Sequence, residues 1–441
     1  MAFLTCCGDM RADSAPKVIV YFTEWAVYGR NFHITNLPAA KITHVNYAFA
    51  KVDANNQVAV WDTYAATDKF YAGDCWDVGC KRGSFHQITL FKQAHPEIKF
   101  LISVGGWTGS APFYTLAASD AGRQTFATSC ANFLTQYPQF DGIDLDWERP
   151  VLGGFENLGT PQDAQNNTLL LQAIRDAIGP NKLLTVADSC SPASIAALEY
   201  PAIVNIVDWI NTLTYDFHGP WNNTNGFNSP LYYNNNDSLV GFNVNDCIQG
   251  FLARGVPPSK LVMGQPMYGH SWANANSSAP FSGANGAGPG SWENGSLDYK
   301  DIAANYVTNP NYTRYWDDTA KVPWLYNATT KAWITYDDPQ SMLIKGQYIA
   351  SNHLAGVMFW EIDADNGDLL DAMRTGMATT VAPPVILTLA FYENHPTLLW
   401  PTGTLQSATI VTGPYAPVAG ATSPFTVTTT EPQQFFRVSV P

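Results

Sequence analysis

The sequence predicts an α/β chain: a (β/α)8 TIM barrel with an inserted small α+β lobe, followed by a small C-terminal β module. Three observations predict it. Eight short apolar runs recur between Val18 and Trp360, with amphipathic stretches between many of them. The interval before the last run is too long for a simple connection. The composition changes after about Gly376, and at 441 residues the chain has room for a barrel of about 250 residues and two additions.

Residues 1–16 read as an N-terminal tail. The start, MAFLTCCGDM, has too short an apolar stretch for a complete signal peptide and lacks a basic n-region. Residues 17–377 read as the barrel. The expected strands are Val18–Phe22, Thr43–Phe49, Phe100–Val104, Gly142–Trp147, Leu183–Ala187, Trp209–Thr214, Leu261–Pro266 and Gly356–Trp360. Near-continuous apolar strands alternating with helical stretches such as Gln124–Tyr137 and Asn167–Ile178 indicate a parallel sheet buried on both faces. Eight such units indicate a barrel. A doubly wound sheet is the alternative, but no phosphate-binding glycine loop follows the first strand. Residues 51–98 and about 271–350 are long intervals, and the second, rich in Asn, Gly and aromatics, reads as the inserted lobe. Residues 378–384 read as a linker. Residues 385–441 read as the β module, with strand-like pieces Val385–Tyr392, Ala408–Val411, Phe425–Thr429 and Phe435–Val440.

Hydrophobic residues make up 46% of the chain and charged ones 14%, which argues for a large core and against disorder. A formal net charge of −14 makes nucleic acid an unlikely partner and a neutral polymer a better one. The 14 Trp and 21 Tyr suit the flat faces of sugar rings, although most aromatics in any protein fill the core. Seven cysteines cannot all pair. Cys75 and Cys80 frame a short loop and could bridge it. Cys130, Cys190 and Cys247 lie in barrel-like segments and read as buried thiols. Cys6 and Cys7 lie in the tail. No cysteine spacing reads as a zinc site, and no metal or organic cofactor is implied. No apolar run reaches the roughly 20 residues that cross a membrane.

The chemistry concentrates in Asp141-Gly142-Ile143-Asp144-Leu145-Asp146-Trp147-Glu148. Side chains alternate along a strand, so Asp144, Asp146 and Glu148 share one face, which in a barrel points inward. Three acids so close would repel if all were ionised, so their titrations must be coupled. Glu148 falls at the C-terminal end of the strand, where barrel enzymes place catalytic groups. Asp141 lies off this parity and reads as structural.

This Asp-x-x-Asp-x-Asp-x-Glu pattern resembles the signature of family 18 glycoside hydrolases. The resemblance covers roughly residues 17–376. Tyr21-Phe22-Thr23-Glu24-Trp25 with Val27-Tyr28-Gly29-Arg30-Asn31-Phe32 is similar to the family's first strand and loop. Ser103-Val104-Gly105-Gly106-Trp107 resembles its third-strand motif, Leu213-Thr214-Tyr215-Asp216 its sixth, Met267-Tyr268-Gly269 its seventh and Gly356-Val357-Met358-Phe359-Trp360-Glu361 its eighth. The pattern is most similar to the bacterial type A chitinases. Arg149 stands where an aromatic is common, His270 where Arg is usual, and Leu213 where Met is common.

The resemblance implies a substrate-assisted retaining mechanism, in which the acetamido group of the sugar attacks its own anomeric carbon. Glu148 would be the acid and base, its pKa raised chiefly from the Asp146 side. Asp146 would orient the acetamide, Asp144 would share a proton with Asp146, and Tyr215 would hold the acetamido group. Trp360 would be the floor under the reacting sugar. Trp25, Trp107 and Trp221 would be stacking platforms. Tyr21, Gly106, Asp216, Tyr268, Trp292 and Glu293 would complete the substrate site. His270 reads either as a subsite donor or as a structural residue. The implied partners are chitin and chitooligosaccharides, for a monomeric, secreted enzyme whose signal peptide is not visible in the chain. An endo-β-N-acetylglucosaminidase acting on N-glycans shares the acid motif, and a non-catalytic lectin shares the fold but loses the acid.

Overall fold

A computed structural model of the chain describes residues 15–155, 157–379, 387–392, 395–400, 403–428 and 433–439. The eight apolar runs form eight parallel strands: β1 Lys17–Thr23, β2 His44–Val52, β3 Lys99–Gly105, β4 Gly142–Asp146, β5 Leu183–Ser189, β6 Trp209–Leu213, β7 Leu261–Pro266 and β8 Gly356–Trp360. Each pairs with the next, and β8 returns to β1 from Lys17↔Gly356 to Val20↔Phe359, which closes the barrel. Closure excludes the doubly wound alternative.

Alternation along each strand divides the core in two. Val18, Val20 and Phe22 of β1 and Val357 and Phe359 of β8 point outward, into one large apolar cluster with the helices. Ile19 and Tyr21 of β1 and Met358 and Trp360 of β8 point inward, with Trp209 and Val262. This two-sided burial is why the strands read as unbroken apolar runs. Helices Asp120–Gln136, Asp163–Ile178, Val244–Ala253, Pro339–Ser351 and Asp368–Ala378 belong to the outer layer. Ser119 and Asn243 cap the first and third of these by accepting from Gly122 N and Asp246 N.

The long interval after β2 holds the short strand Val58–Val60, antiparallel to the end of β2, and the helix Gly83–Ala94. The lobe between β7 and β8 is a five-stranded antiparallel sheet. Its order is Ser296–Asp298, Tyr268–Trp272, Trp333–Thr335, Val322–Tyr326 and Thr313–Asp317. Trp272, Trp324, Trp333 and Phe227 give it a core of its own. Its extent differs from the 271–350 expected. The sheet begins at Tyr268, and Pro339–Ser351 is a barrel helix that packs on Asp368–Ala378. Asp338 starts that helix with a reciprocal cap to Ser341, a start signal that divides lobe from barrel.

Cys75 and Cys80 are bridged. Cys190 and Cys247 also form a disulfide, against the expectation of buried thiols, because the end of β5 and helix Val244–Ala253 bring their Cα atoms to 5.2 Å. Cys130 is a buried free thiol, and Cys6 and Cys7 lie outside the described residues.

The chain divides into two compact units at Thr379/Thr380. The helix Asp368–Ala378 runs one residue into the expected linker, whose residues 380–384 lie outside the described ones. The second unit contains two three-stranded sheets: Thr388–Tyr392, His395–Leu399 and Phe425–Thr426, and Ala416–Pro417, Thr404–Ala408 and Phe435–Ser439. The expected strand Ala408–Val411 is instead a strand ending at Ala408, followed by bends. His395–Leu399 is a further strand, outside the expected pieces, with Pro396 inside it.

Candidate active site

The acids of β4 occupy successive levels of the barrel. Asp141 stands at its foot, outside the inward parity, and its Oδ2 accepts from Lys92 Nζ at 2.5 Å and Phe100 N at 2.8 Å. Asp144 is wholly buried. Register places Ser103 and Thr185 on either side of it. Its Oδ2 accepts from the hydroxyls of Tyr21 (2.6 Å) and Ser103 (2.8 Å). Its Oδ1 accepts from Thr185 Oγ1 (2.5 Å) and Asn211 Nδ2 (3.1 Å). Burial pushes the Asp144 carboxyl up, and these four donors pull it back toward the ionised form.

Asp146, one level higher, turns to Glu148 rather than to Asp144, whose oxygens are occupied. Burial raises the Asp146 carboxyl well above the usual range. The charges of Glu148, Asp144 and Asp188 add to it. Its Oδ1 is buried without a hydrogen-bond partner among the described residues. Glu148 lies two residues past β4, where its backbone N donates to Ser110 Oγ at 2.8 Å. The Ser110 hydroxyl also reaches Gly106 O and Asp146 O, so it clamps the strand end.

The Glu148 carboxyl is raised to about 7, first by burial and next by the charge of Asp216. Arg149 and a hydrogen bond from Asp146 act in the opposite direction. This corrects the expectation that Asp146 chiefly raises it. A protonated Asp146 is a donor to Glu148 and stabilises its ionised form, so the pair holds its proton jointly.

Above the acids is a cleft of about 1140 Å³, larger than the roughly 300–1,000 Å³ usual for small-molecule pockets. Tyr21, Trp25, Trp107, Asp146, Glu148 and Tyr215 line it. So do Asp216, Trp221, Tyr268, Trp292, Glu293 and Trp360. Two expected residues do not. Asp144 lies beneath, and Gly106 lies to the side. Gly106 has φ +80°, and a Cβ there would fall 2.8 Å from the Phe49 ring. The missing side chain therefore makes room for Phe49, which stacks on Trp360 with centroids 5.7 Å apart. Tyr21 and Trp25 flank Trp360 at 5.2 and 6.3 Å. The indoles of Trp25, Trp107, Trp292 and Trp221 are 40–59% exposed, so they present faces to the cleft and are not core filling.

Several lining residues were not assigned from the sequence, among them Phe49, Arg30, Asp298 and Glu361. Arg30 Nη1 contacts Asp298 (3.1 Å) and Asp363 (3.0 Å), and Nη2 contacts Glu361 (3.0 Å). Its guanidinium also lies 5.0 Å from the Trp292 ring, whose Nε1 donates to Asp298. Arg30 stood inside a quoted motif, but its three partners come from β8's end and the lobe, far away in sequence. Arg149 lies 5.6 Å from the Trp107 ring. His270 contacts Asp216.

The family model for glycosyl hydrolases family 18 matches residues 17–365. Chitinase A1 of Niallia circulans is 38% identical, over 92% of this chain and 68% of its own. Chitinase 1 of Aphanocladium album is 38% identical, over 78% of this chain and 81% of its own. Among solved structures, a chitinase from Bacillus thuringiensis superposes with a TM-score of 0.77 at 30% identity, covering 97% of this chain and 79% of that one. A closed barrel carrying the acid ladder on β4, matched by the family model from the start of β1 to beyond β8, leaves one conclusion: the chain belongs to glycosyl hydrolases family 18.

Proposed function

We infer that the chain is a chitinase, which hydrolyses the β-1,4-N-acetylglucosamine linkages of chitin and chitooligosaccharides by substrate-assisted retaining catalysis. The observation that carries this reading is the pair at the top of the ladder. Asp146 offers a buried, unpartnered oxygen beside a Glu148 carboxyl raised to about 7. A lone acceptor at that depth suits an amide N–H of the substrate. The names of the two curated relatives agree with it.

In this reading the acetamido carbonyl oxygen attacks the anomeric carbon, and Glu148 gives its proton to the departing glycosidic oxygen. The resulting oxazolinium carries positive charge, which Asp146 stabilises through the acetamido N–H. Tyr215 holds the acetamido group in place for attack. Water then adds at the anomeric carbon and passes its proton to Glu148, which restores the acid and retains the β configuration. Asp144 lies below, its carboxyl held by Tyr21, Ser103, Thr185 and Asn211. Trp360 forms the floor, and Trp25, Trp107, Trp221 and Trp292 supply platforms along the cleft. A secreted enzyme acting alone fits an insoluble polymer outside the cell. Among the described residues no helix is long and apolar enough to cross a membrane.

The test is Glu148→Gln on a chitin hexamer. Turnover should fall by about 10³-fold or more. Oligosaccharide binding, followed by calorimetry, should stay within a few-fold of wild type. Retained turnover, or an initial α-anomer among wild-type products, would overturn the reading.

A further inference from the structure

Arg149 follows Glu148 directly, and the two line the cleft together with Trp107. Its backbone is tied on both sides. The N donates to Tyr114 OH at 3.3 Å, and the O accepts from that hydroxyl and from Gly153 N, both at 3.0 Å. The side chain therefore starts from a fixed point between the proton donor and a platform. Its guanidinium lies 5.6 Å from the Trp107 ring.

Two arginines line the cleft, and they differ. Arg30 holds three carboxylates, those of Asp298, Glu361 and Asp363. Arg149 holds none. Among the described residues the arginine ion pairs belong to Arg30, Arg123, Arg175 and Arg314. The Arg149 Nε is buried without a hydrogen-bond partner among them. A buried donor left unmet is costly, so this one calls for an acceptor that arrives with the substrate.

A guanidinium offers five N–H donors, a positive charge and no acceptor. An N-acetylglucosamine unit can meet it with an amide carbonyl, which accepts. A deacetylated unit brings an ammonium instead, which has donors only and the same sign of charge. We propose that Arg149 is a specificity-determining residue: its guanidinium donates to the acetamido carbonyl of the sugar docked on Trp107 and repels the ammonium of a deacetylated unit there. The inference deepens the proposed function and rests on the cleft holding a chitin chain. Asp146 and Tyr215 already account for the acetamido group of the reacting sugar, so Arg149 adds a second unit at which acetylation is read.

The experiment is digestion of a partially deacetylated chitosan, with the products sequenced by mass spectrometry. Each position counted from the cleaved bond is scored for acetyl or free amine. Wild type should exclude free amines from the reacting sugar and from one further position. Arg149→Met removes the donors and the charge. Free amines at that further position should then rise about tenfold or more, while the reacting sugar stays acetylated. Arg149→Lys keeps a charged donor and should keep the exclusion. Arg149→Gln, also neutral, is read like the Met variant should that one fold poorly. Arg149 also acts on the Glu148 carboxyl, but a change there alters the rate on every sugar sequence alike and leaves the pattern of products unmoved. A wild type that excludes free amines at the reacting sugar alone would overturn the inference, as would an exclusion unchanged in the neutral variants or lost equally in Arg149→Lys. Wild-type turnover of chitin hexamer is the control. If it is absent, the underlying reading fails, and if it is present while the pattern stays still, only the role of Arg149 fails.

Discussion

Glu148 has to be protonated when substrate arrives, so its raised carboxyl sets the working range of the site. With the group near 7, the donor form is present below that pH and is lost above it. The coupled Asp146–Glu148 pair titrates as a unit, and kcat/KM should fall about tenfold per pH unit once the pair has lost its shared proton. The same shift has a sign for stability. The folded state keeps this proton between about 4.5 and 7 while the unfolded chain releases it, so the group's contribution is full at low pH and declines as pH rises through that window. Glu148→Gln removes the ionisable group and should raise Tm at pH 8 relative to wild type, with little change at pH 4. A lower Tm at pH 8 would show that the carboxylate is solvated. The parity of Asp144, Asp146 and Glu148 was legible because alternation along a strand is local. The division of charge among them was not. It depends on Asp216 and Arg149, which meet Glu148 only after the barrel closes.

At the scale of elements, Arg30 joins three pieces of chain: the loop after β1, the end of β8 and the inserted lobe. Burial raises the carboxyls of Glu361 and Asp363, and Arg30 opposes this in both. Arg30→Ala would leave both buried without that partner, and we expect a loss of about 3 kcal/mol in urea unfolding. KM for chitooligosaccharides should rise as well, because Trp292 loses the cation beneath its ring. A stability unchanged within about 0.5 kcal/mol would mean that water compensates these acids. Trp360→Ala tests the floor. It should weaken binding by at least about 1 kcal/mol, read as an increase in Kd of roughly fivefold or more. All eight barrel strands were legible, because burial on both faces writes an apolar run into each. The far boundary of the lobe was not, since Pro339–Ser351 pairs with Asp368–Ala378 and that packing is invisible in either segment alone. The bridge from Cys190 to Cys247 was likewise hidden, as the two lie 57 residues apart.

The whole molecule divides into a catalytic unit and a smaller β unit. The cleft and all its lining residues belong to the first. Removal of the residues after Thr379 should therefore leave turnover of soluble chitooligosaccharides within about twofold, since parts that share no partners contribute additively. Binding to insoluble chitin, measured by sedimentation with both forms, then reports whether the second unit is an anchor. A large loss on soluble substrate would mean that the units depend on one another. The cradle around Asp144 also bears on how the barrel comes together. Its four donors arrive from β1, β3, β5 and β6, so its oxygens are fully partnered only when every one of those strands has docked in phase. A strand slipped by a single residue would turn its hydroxyl or amide away and leave a buried carboxyl short of a partner in the middle of the protein. The chemistry of the enzyme thus doubles as an inspector of its own assembly, rejecting mis-threaded barrels before any sugar arrives.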